Sequence, residues 1–418
     1  MTTGSLAFPA LTRRRVRVKP SLFREKSGRT AAFGLGLAER GNVLVAAGGK
    51  KLLEELPGGE ALFRTEDGTL FVRSGTSLQR GEDIFALSSA PLAVLSFSGE
   101  AEREYYALTS SGLYVLGTGG AEKILGAPGG TAAAFFGERL FVASGETLSY
   151  SAPLSPSDWE RRADGAGSIV LPSAGGTIGT LIPYRGRLLL FRERGITALA
   201  APGDFLDFEA EEIPYACGKL IPSSVAACGS RVLFCTEEGF FLLKGSAVSP
   251  VEGCGAERID FAAGVLSAAV GEEYFAAVTL VSGEKCLLFL GEERACFLRL
   301  EAESLAGGQE LCFLQGGRRY ALDRRAAGER AAYLELPLSD FGLPEARYLD
   351  AVRVEGEGDF RIEARPQRGL PRFVRGRAGE ELRFSPPLRG SSFSLKLRSD
   401  SAGAKIAGIL LSLREGRP

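Results

Sequence analysis

The run GDFLDFEAEEI, residues 203–213, gathers Asp204, Asp207, Glu209, Glu211 and Glu212. These are oxygen donors of the kind that a hard cation takes. The spacing is not that of a D-x-[DN]-x-[DN]-G calcium loop, so a solvated acidic loop is the expected state. Seven cysteines stand at 217, 228, 235, 254, 286, 296 and 312. No CxxC pair occurs, and most lie in apolar runs such as RVLFCTEEGFFLL. They read as small buried hydrophobes in a reducing compartment rather than as zinc ligands. Histidine is absent altogether. That removes the commonest general base, the Ser-His and Cys-His nucleophile pairs and the commonest metal ligand.

Other chemistry finds no better footing. TEDGTLF at 65–71 lacks the spacing and the Trp of a sialidase-type S-x-D-x-G-x-T-W turn, and reads as a plain Asp-Gly hairpin turn. No GxSxG, HExxH, Walker or dinucleotide fingerprint is present. The expectation is a protein that is not an enzyme, with no catalytic residue, no cofactor and no metal. Paired carboxylates for glycoside hydrolysis remain open, since sequence does not give their separation.

The elements that carry these residues repeat. Short apolar strands flank polar turns in NVLVAAGGKKLLEEL (42–55), YYALTSSGLYVL (105–116), RLFVASGETLSY (139–150), RLLLFRERGITAL (187–199), RVLFCTEEGFFLL (231–243), YFAAVTLVSGEKCLLFL (274–290) and ELCFLQGGRRYAL (310–322). Each has the form of a β-hairpin. Leu140, Leu188, Val232 and Tyr274 recur at a nearly constant interval. A period of roughly 40–50 residues, which that interval matches, marks a propeller blade. The turns GER, RGR and GSR recur one strand earlier, each with its Arg directly before the next strand. An all-β fold follows, a β-propeller of about seven blades, with six or eight also open. The gap between Val43 and Tyr105 holds an extra hairpin, ALFRTEDGTLFVRS.

The rhythm stops near 340. LDAVRVEG, DFRIEARP, EELRFSPPL, SFSLKLRS and KIAGILLSLRE alternate with period two, as strands with one wet face do. They predict a small C-terminal β-sandwich. The expected organisation is a basic arm at 1–30, a propeller at 31–340 and the sandwich at 341–418.

The chain's only tryptophan belongs to this repeat. YSAPLSPSDWE and LAAPGDFLDFE place Asp158-Trp159 and Asp207-Phe208 at the same point of consecutive copies. A repeated Asp-aromatic after an inter-blade loop is expected to plug the joint between blades rather than hold a ligand.

Charge is uneven beneath a net of −1. Residues 1–30 carry +7, 341–418 carry +5, and the stretch between carries −13. Arg13, Arg14, Arg15 and Arg17 form the candidate interface. They are expected to dock on acidic propeller surface of the same or a neighbouring subunit, with nucleic acid possible but not favoured. No apolar run approaches the length of a membrane span. The basic cluster follows the N-terminal apolar stretch instead of preceding it, so no export signal is expected.

The succession RLFVASGETLSYSAPLSPSDWE, then IVLPSAGGTIGTLIPYRGRLLLFRERGITALAAPGDFLDFEAEEI, then GKLIPSSVAACGSRVLFCTEEGFFLLKG resembles β-propeller structural proteins of tailed bacteriophages and prophages. The match is good over roughly 130–250 and elsewhere lies in the repeat pattern. The relatives resembled are tail-hub, head-tail completion and packaged-DNA stabilisation proteins. The resemblance implies a virion structural protein of the tail or head-tail connector. It would be made in the bacterial cytoplasm and assemble with other virion proteins, as a ring-like homo-oligomer. A second class stays open, a glycan-binding or glycan-cleaving propeller for host surface recognition. It would need a funnel lined by carboxylates and aromatic rings.

Overall fold

The computed structural model describes residues 12–415 except 23–29, 99–102, 163–164, 202–206, 216–217, 292–294, 325, 327, 330 and 344–345. Asp204 and Cys217 lie outside the described residues. No described helix is long and apolar enough to cross a membrane, and regular structure is almost wholly strand. The chain forms two compact units, one of residues 51–292 and 301–322, the other drawn from 1–50, 293–300 and 323–418.

The first unit is a seven-bladed β-propeller. Antiparallel blades begin with Ala61–Arg64, Pro91–Ser98, Ala132–Phe136, Ile178–Tyr184, Leu220–Cys228, Leu266–Val270 and Ser304–Ala306. Each of these innermost strands lies beside the next, and the seventh lies beside the first, so the ring is closed. At the closing joint the Leu62 amide donates to Ser304 Oγ at 2.9 Å. The fourth strand of blade seven comes from ahead of blade one. Strand Gly49–Glu55 pairs beside Arg318–Asp323, with Arg318–Glu55 at 3.2 Å and Arg319–Glu54 at 3.3 Å.

The repeat anchors explain why the sequence folds this way. Leu140, Leu188, Val232 and Tyr274 each occupy the second position of a blade's second strand, and all four are fully buried. Their blades pack through apolar clusters at successive joints. Phe71, Phe85, Val94 and Tyr114 fill the first joint, and Phe191, Phe234, Ile196 and Val232 the fourth. The turns also behave as their residues require. Gly137-Glu138 and Arg185-Gly186 have positive φ at both positions, at 52° and 64° and at 48° and 74°. This is the tight hairpin geometry whose twist matches paired strands.

Two parts of the repeat reading change. The segment 42–55 is not a hairpin: Val43–Ala46 pairs with Leu37–Arg40, while Gly49–Glu55 goes to blade seven. The hairpin taken as extra, Ala61–Arg64 with Leu70–Ser74, is the core of blade one. The count of seven stands because one gain cancels one loss. Gly49 shows why these neighbours separate. A Cβ there would sit 2.3 Å from Ala326 Cβ, and the Gly49 amide donates to the Ala326 carbonyl at 3.2 Å, so the backbone at the start of this strand is held against a segment far along the chain.

The second unit is a β-sandwich. One sheet orders Leu382–Arg389, Ala346–Glu357 and Lys405–Glu415. The far edge of Lys405–Glu415 is shared by Thr12–Val18 and by Val43–Ala46. The other sheet runs Ala295–Leu298, Phe33–Leu35, Ala332–Ser339, Phe393–Ser399, Asp359–Pro366 and Arg372–Arg377. Alternation sets the faces: Phe360, Ile362 and Ala364 are buried, and so are Ile409, Leu411 and Leu413. The expected boundaries at 30 and 340 therefore differ from those of the compact units. The sandwich is built from both ends of the chain, because Thr12–Val18 of the basic stretch completes its C-terminal strand.

Candidate functional site

The turns joining first and second strands of the blades gather at one end of the propeller channel. Charged side chains there clasp one blade to the next. Asp67, on the turn of blade one, is the most engaged. Thr65 Oγ1 donates to its Oδ1, Thr69 Oγ1 to its Oδ2 at 2.8 Å, and Tyr105 OH to Oδ2 at 2.9 Å. Arg103 Nη1 lies 3.1 Å from Oδ2, and the carboxylate is 7% exposed. Tyr105 and Arg103 belong to blade two. Burial alone would push the Asp67 carboxyl up. The hydrogen bonds from Thr65, Thr69 and Tyr105 outweigh it and hold the group well below the usual carboxylate range. Elsewhere Tyr184 OH donates to the Ser230 carbonyl at 2.6 Å, joining blades four and five. Arg231 Nη2 donates to the Glu272 carbonyl at 2.9 Å, joining five and six.

These groups were missed in the sequence, where TEDGTLF looked like a turn and nothing more. Its flanking threonines were the available signal, since Ser and Thr beside a turn Asp often bond to it. The blade-two partners, Arg103 and Tyr105, lie too far along the chain to carry one.

Between the turns opens a cavity of about 850 Å³. Its lining includes Arg64, Glu66, Asp67, Gly307, Gly308 and Gln309, and no aromatic ring. Arg64 Nη2 donates to Cys312 Sγ at 3.4 Å, a weak acceptor. Its Nε is covered and has no hydrogen-bond partner.

The candidate interface arginines lie elsewhere. Strand Thr12–Val18 pairs antiparallel with Lys405–Glu415, from Thr12 opposite Glu415 to Val18 opposite Ile409. Arg13 meets Asp350 at 3.9 Å, Arg15 meets Glu381 at 3.4 Å and Arg17 meets Glu355 at 2.6 Å. Arg14 stands opposite Leu413 in the register. These residues are thus a sandwich strand, and within the chain the acidic partners of Arg13, Arg15 and Arg17 belong to the sandwich and not to the propeller. Backbone pairing along the whole strand decides the matter, because exposed ion pairs contribute only about 0–1 kcal/mol each.

Trp159 and Phe208 take equivalent places. Trp159, half-buried, packs on Tyr106, Leu108, Leu113, Ile124, Leu140 and Val142, at the joint of blades two and three. Its Nε1 donates to the Pro156 carbonyl at 2.8 Å. Phe208 packs at the next joint, 5.3 Å from the Tyr150 ring. Asp158 accepts from the Glu160 amide at 3.1 Å and pairs with Arg162. Asp207 lies just ahead of strand Glu209–Ile213. That strand is the outer edge of blade four, where Glu211 pairs with Arg187 and Glu212 accepts from Thr197 at 2.8 Å. The acidic run is therefore spread along a strand. Among the described residues no group of three His, Cys, Asp or Glu side chains could hold a metal ion. All six described cysteines are buried.

Two buried arginines were also not anticipated. Arg139 is 1% exposed, donates to the carbonyls of Ser151 and Gly165 at 2.8 Å each, and lies over the Tyr150 and Phe208 rings. Arg192, also 1% exposed, donates to the Gly176 carbonyl at 3.1 Å and lies 3.6 Å from Glu212.

No family model matches the chain, and no curated protein matches it. Solved structures similar to it include the Neurospora crassa Pan2 WD40 domain, 10% identical over 63% of this chain and 88% of that one, with a TM-score of 0.41. A chain of the mitotic checkpoint complex is 10% identical over 72% and 98%, at 0.42. The extracellular domain of a putative hybrid two-component system of B. thetaiotaomicron is 10% identical, at 0.48. This chain covers 45% of that last one and 79% of itself in the match.

Proposed function

We propose that this chain is a non-enzymatic structural protein of a tailed-phage or prophage virion, placed in the tail or head-tail neck and working by protein–protein assembly. The observation that carries the reading is the engagement of Asp67. Both oxygens of this 7%-exposed carboxylate are taken, Oδ1 by Thr65 and the Thr69 amide within the blade-one turn, and Oδ2 by Thr69, Tyr105 and Arg103, the last two on blade two. A catalytic acid or base would need one of them for substrate. The motif resemblance over 130–250 supplies the virion context, other virion proteins as partners and a ring-like homo-oligomer as the assembled form. The absence of aromatic rings from the channel-mouth cavity weighs for assembly and against glycan recognition.

The test is quantitative mass spectrometry of purified particles from a host carrying the gene, beside a deletion strain. The protein should be present at fixed stoichiometry, and particles without it should be incomplete. Complete, infective particles lacking the protein would overturn the reading. So would reproducible hydrolytic turnover lost on a single carboxylate substitution.

A further inference from the structure

We propose that the cavity at the channel mouth is a carboxylate-binding site anchored by Arg64. The inference stands apart from the assembly role, since it rests on one cation and its surroundings. Arg64 ends the innermost strand of blade one, and among the described residues no carboxylate forms an ion pair with it, although Glu66 and Asp67 share its cavity. Among the described residues its one hydrogen bond goes to a thiol sulfur at 3.4 Å, and its covered Nε has no partner there. A cation partly withdrawn from water without an anion is unfavourable, and a bound anion would relieve it.

The backbone around it is cut to fit. A Cβ on Gly308 would lie 2.6 Å from Arg64 Nη1, and one on Gly307 would lie 1.8 Å from the Ala269 carbonyl oxygen. Two consecutive glycines thus let blade seven approach blade six while leaving the guanidinium its place in the cavity. The nearby Asp67 does not compete for Arg64, because its oxygens are held by Arg103, Thr65, Thr69 and Tyr105.

Carboxylate is favoured over phosphate by the charge count. One guanidinium matches a single negative charge through two parallel N–H bonds. A doubly charged phosphate would stand against Glu66 and Asp67 in the same lining. The side-chain amide of Gln309 and the open backbone of Gly307-Gly308 are neutral groups suited to what the carboxylate carries. The carboxylate can come from a small molecule or from the end of a protein chain.

The full-length protein is titrated calorimetrically with N-acetylglycine and with its neutral amide. A second pair is a short Ser/Ala peptide with a free C-terminus and the same peptide amidated. Each acid should bind at least tenfold more tightly than its amide. Arg64→Gln should remove that preference, and Glu66→Gln should strengthen it by removing a like charge. Gly308→Ala keeps the charge but displaces the guanidinium, and should also weaken the preference. Tighter binding of the peptide acid than of N-acetylglycine would assign the site to a chain terminus, and equal binding to a small carboxylate. Acid and amide binding alike in both pairs would overturn the proposal, a result that needs no variant to fold. So would a preference that survives Arg64→Gln in protein with an unchanged melting point.

Discussion

Trp159 and Phe208, one repeat apart, seal consecutive joints of the propeller. Trp159 closes blades two and three and Phe208 closes three and four, each from the loop that follows a blade's third strand. The equivalence makes their energetics comparable. Trp159→Ala and Phe208→Ala should each destabilise by about 2–4 kcal/mol, at the lower end for core aromatics because both rings are only partly buried. Denaturant melts followed by circular dichroism would measure this. A change below about 1 kcal/mol in both would show that the joints do not depend on the rings.

Asp67 predicts an acid-sensitive joint. Its folded pKa is depressed, so its stabilisation is fully present above the unfolded value of about 3.9 and is lost as pH falls through the folded value. Asp67→Asn should flatten the fall in stability below about pH 4 and lower stability at neutral pH by about 2–3 kcal/mol, the range for hydrogen bonds to a charged group. Melting temperatures of both proteins between pH 2 and 7 give the comparison. Parallel curves would remove Asp67 from the acid response.

Arg139 should tolerate no apolar replacement. Arg139→Met keeps volume but leaves the Ser151 and Gly165 carbonyls without their donor in a buried place. A loss of about 2–6 kcal/mol is expected, at about 1–3 for each of the two stranded carbonyls. Urea unfolding would detect it, and a stability equal to wild type would mean that water replaces the guanidinium.

The N-terminal strand and its charges should separate experimentally. Arg15→Gln or Arg17→Gln removes an exposed pair and should cost no more than about 1 kcal/mol. Deleting residues 1–19 strips the edge of Lys405–Glu415 and should expose the sandwich to proteolysis. Limited trypsin digestion that leaves residues 323–418 as resistant as before would contradict this.

The cysteines should be silent in the native state. Burial pushes the Cys228 thiol up to about 12 and that of Cys254 to about 11. Thiolate, the reactive form, is scarce at neutral pH, and access is closed besides. Ellman's reagent should label the six described cysteines only after denaturant is added. Rapid native labelling of two or more of them would show that a blade opens.

The propeller was legible where packing is periodic. The buried anchors at 140, 188, 232 and 274 mark the same strand position in four blades, and the plugs Trp159 and Phe208 declared themselves by equal spacing. The five strands read after residue 340 are all present. What was hidden depends on contacts distant in sequence. Gly49–Glu55 joins a strand that follows all the other blades in the chain, so local pattern paired it with its apolar neighbour at 43–46. Arg372–Arg377 was passed over because RFVRGR shows little apolar alternation. RRRVRVK, which lacks interleaved aromatics and could simply be a strand, is one through Val18, but its partner strand lies at the other end of the sequence and left no local sign. The channel-mouth groups left only the two threonines flanking a turn Asp, since Arg103 and Tyr105 sit on the next blade.

Closing blade seven with residues 51–55 has a consequence for how the protein is made. The ribosome releases that strand first, and its partner Arg318–Asp323 only after all the intervening blades. The sandwich waits in the same way, because Thr12–Val18 pairs with the last strand of the chain. Synthesis at about 5–20 residues per second leaves both early strands without their partners for roughly 15–80 seconds. The nascent chain thus carries two unsatisfied strand edges through most of translation, and contacts this remote in sequence form slowly.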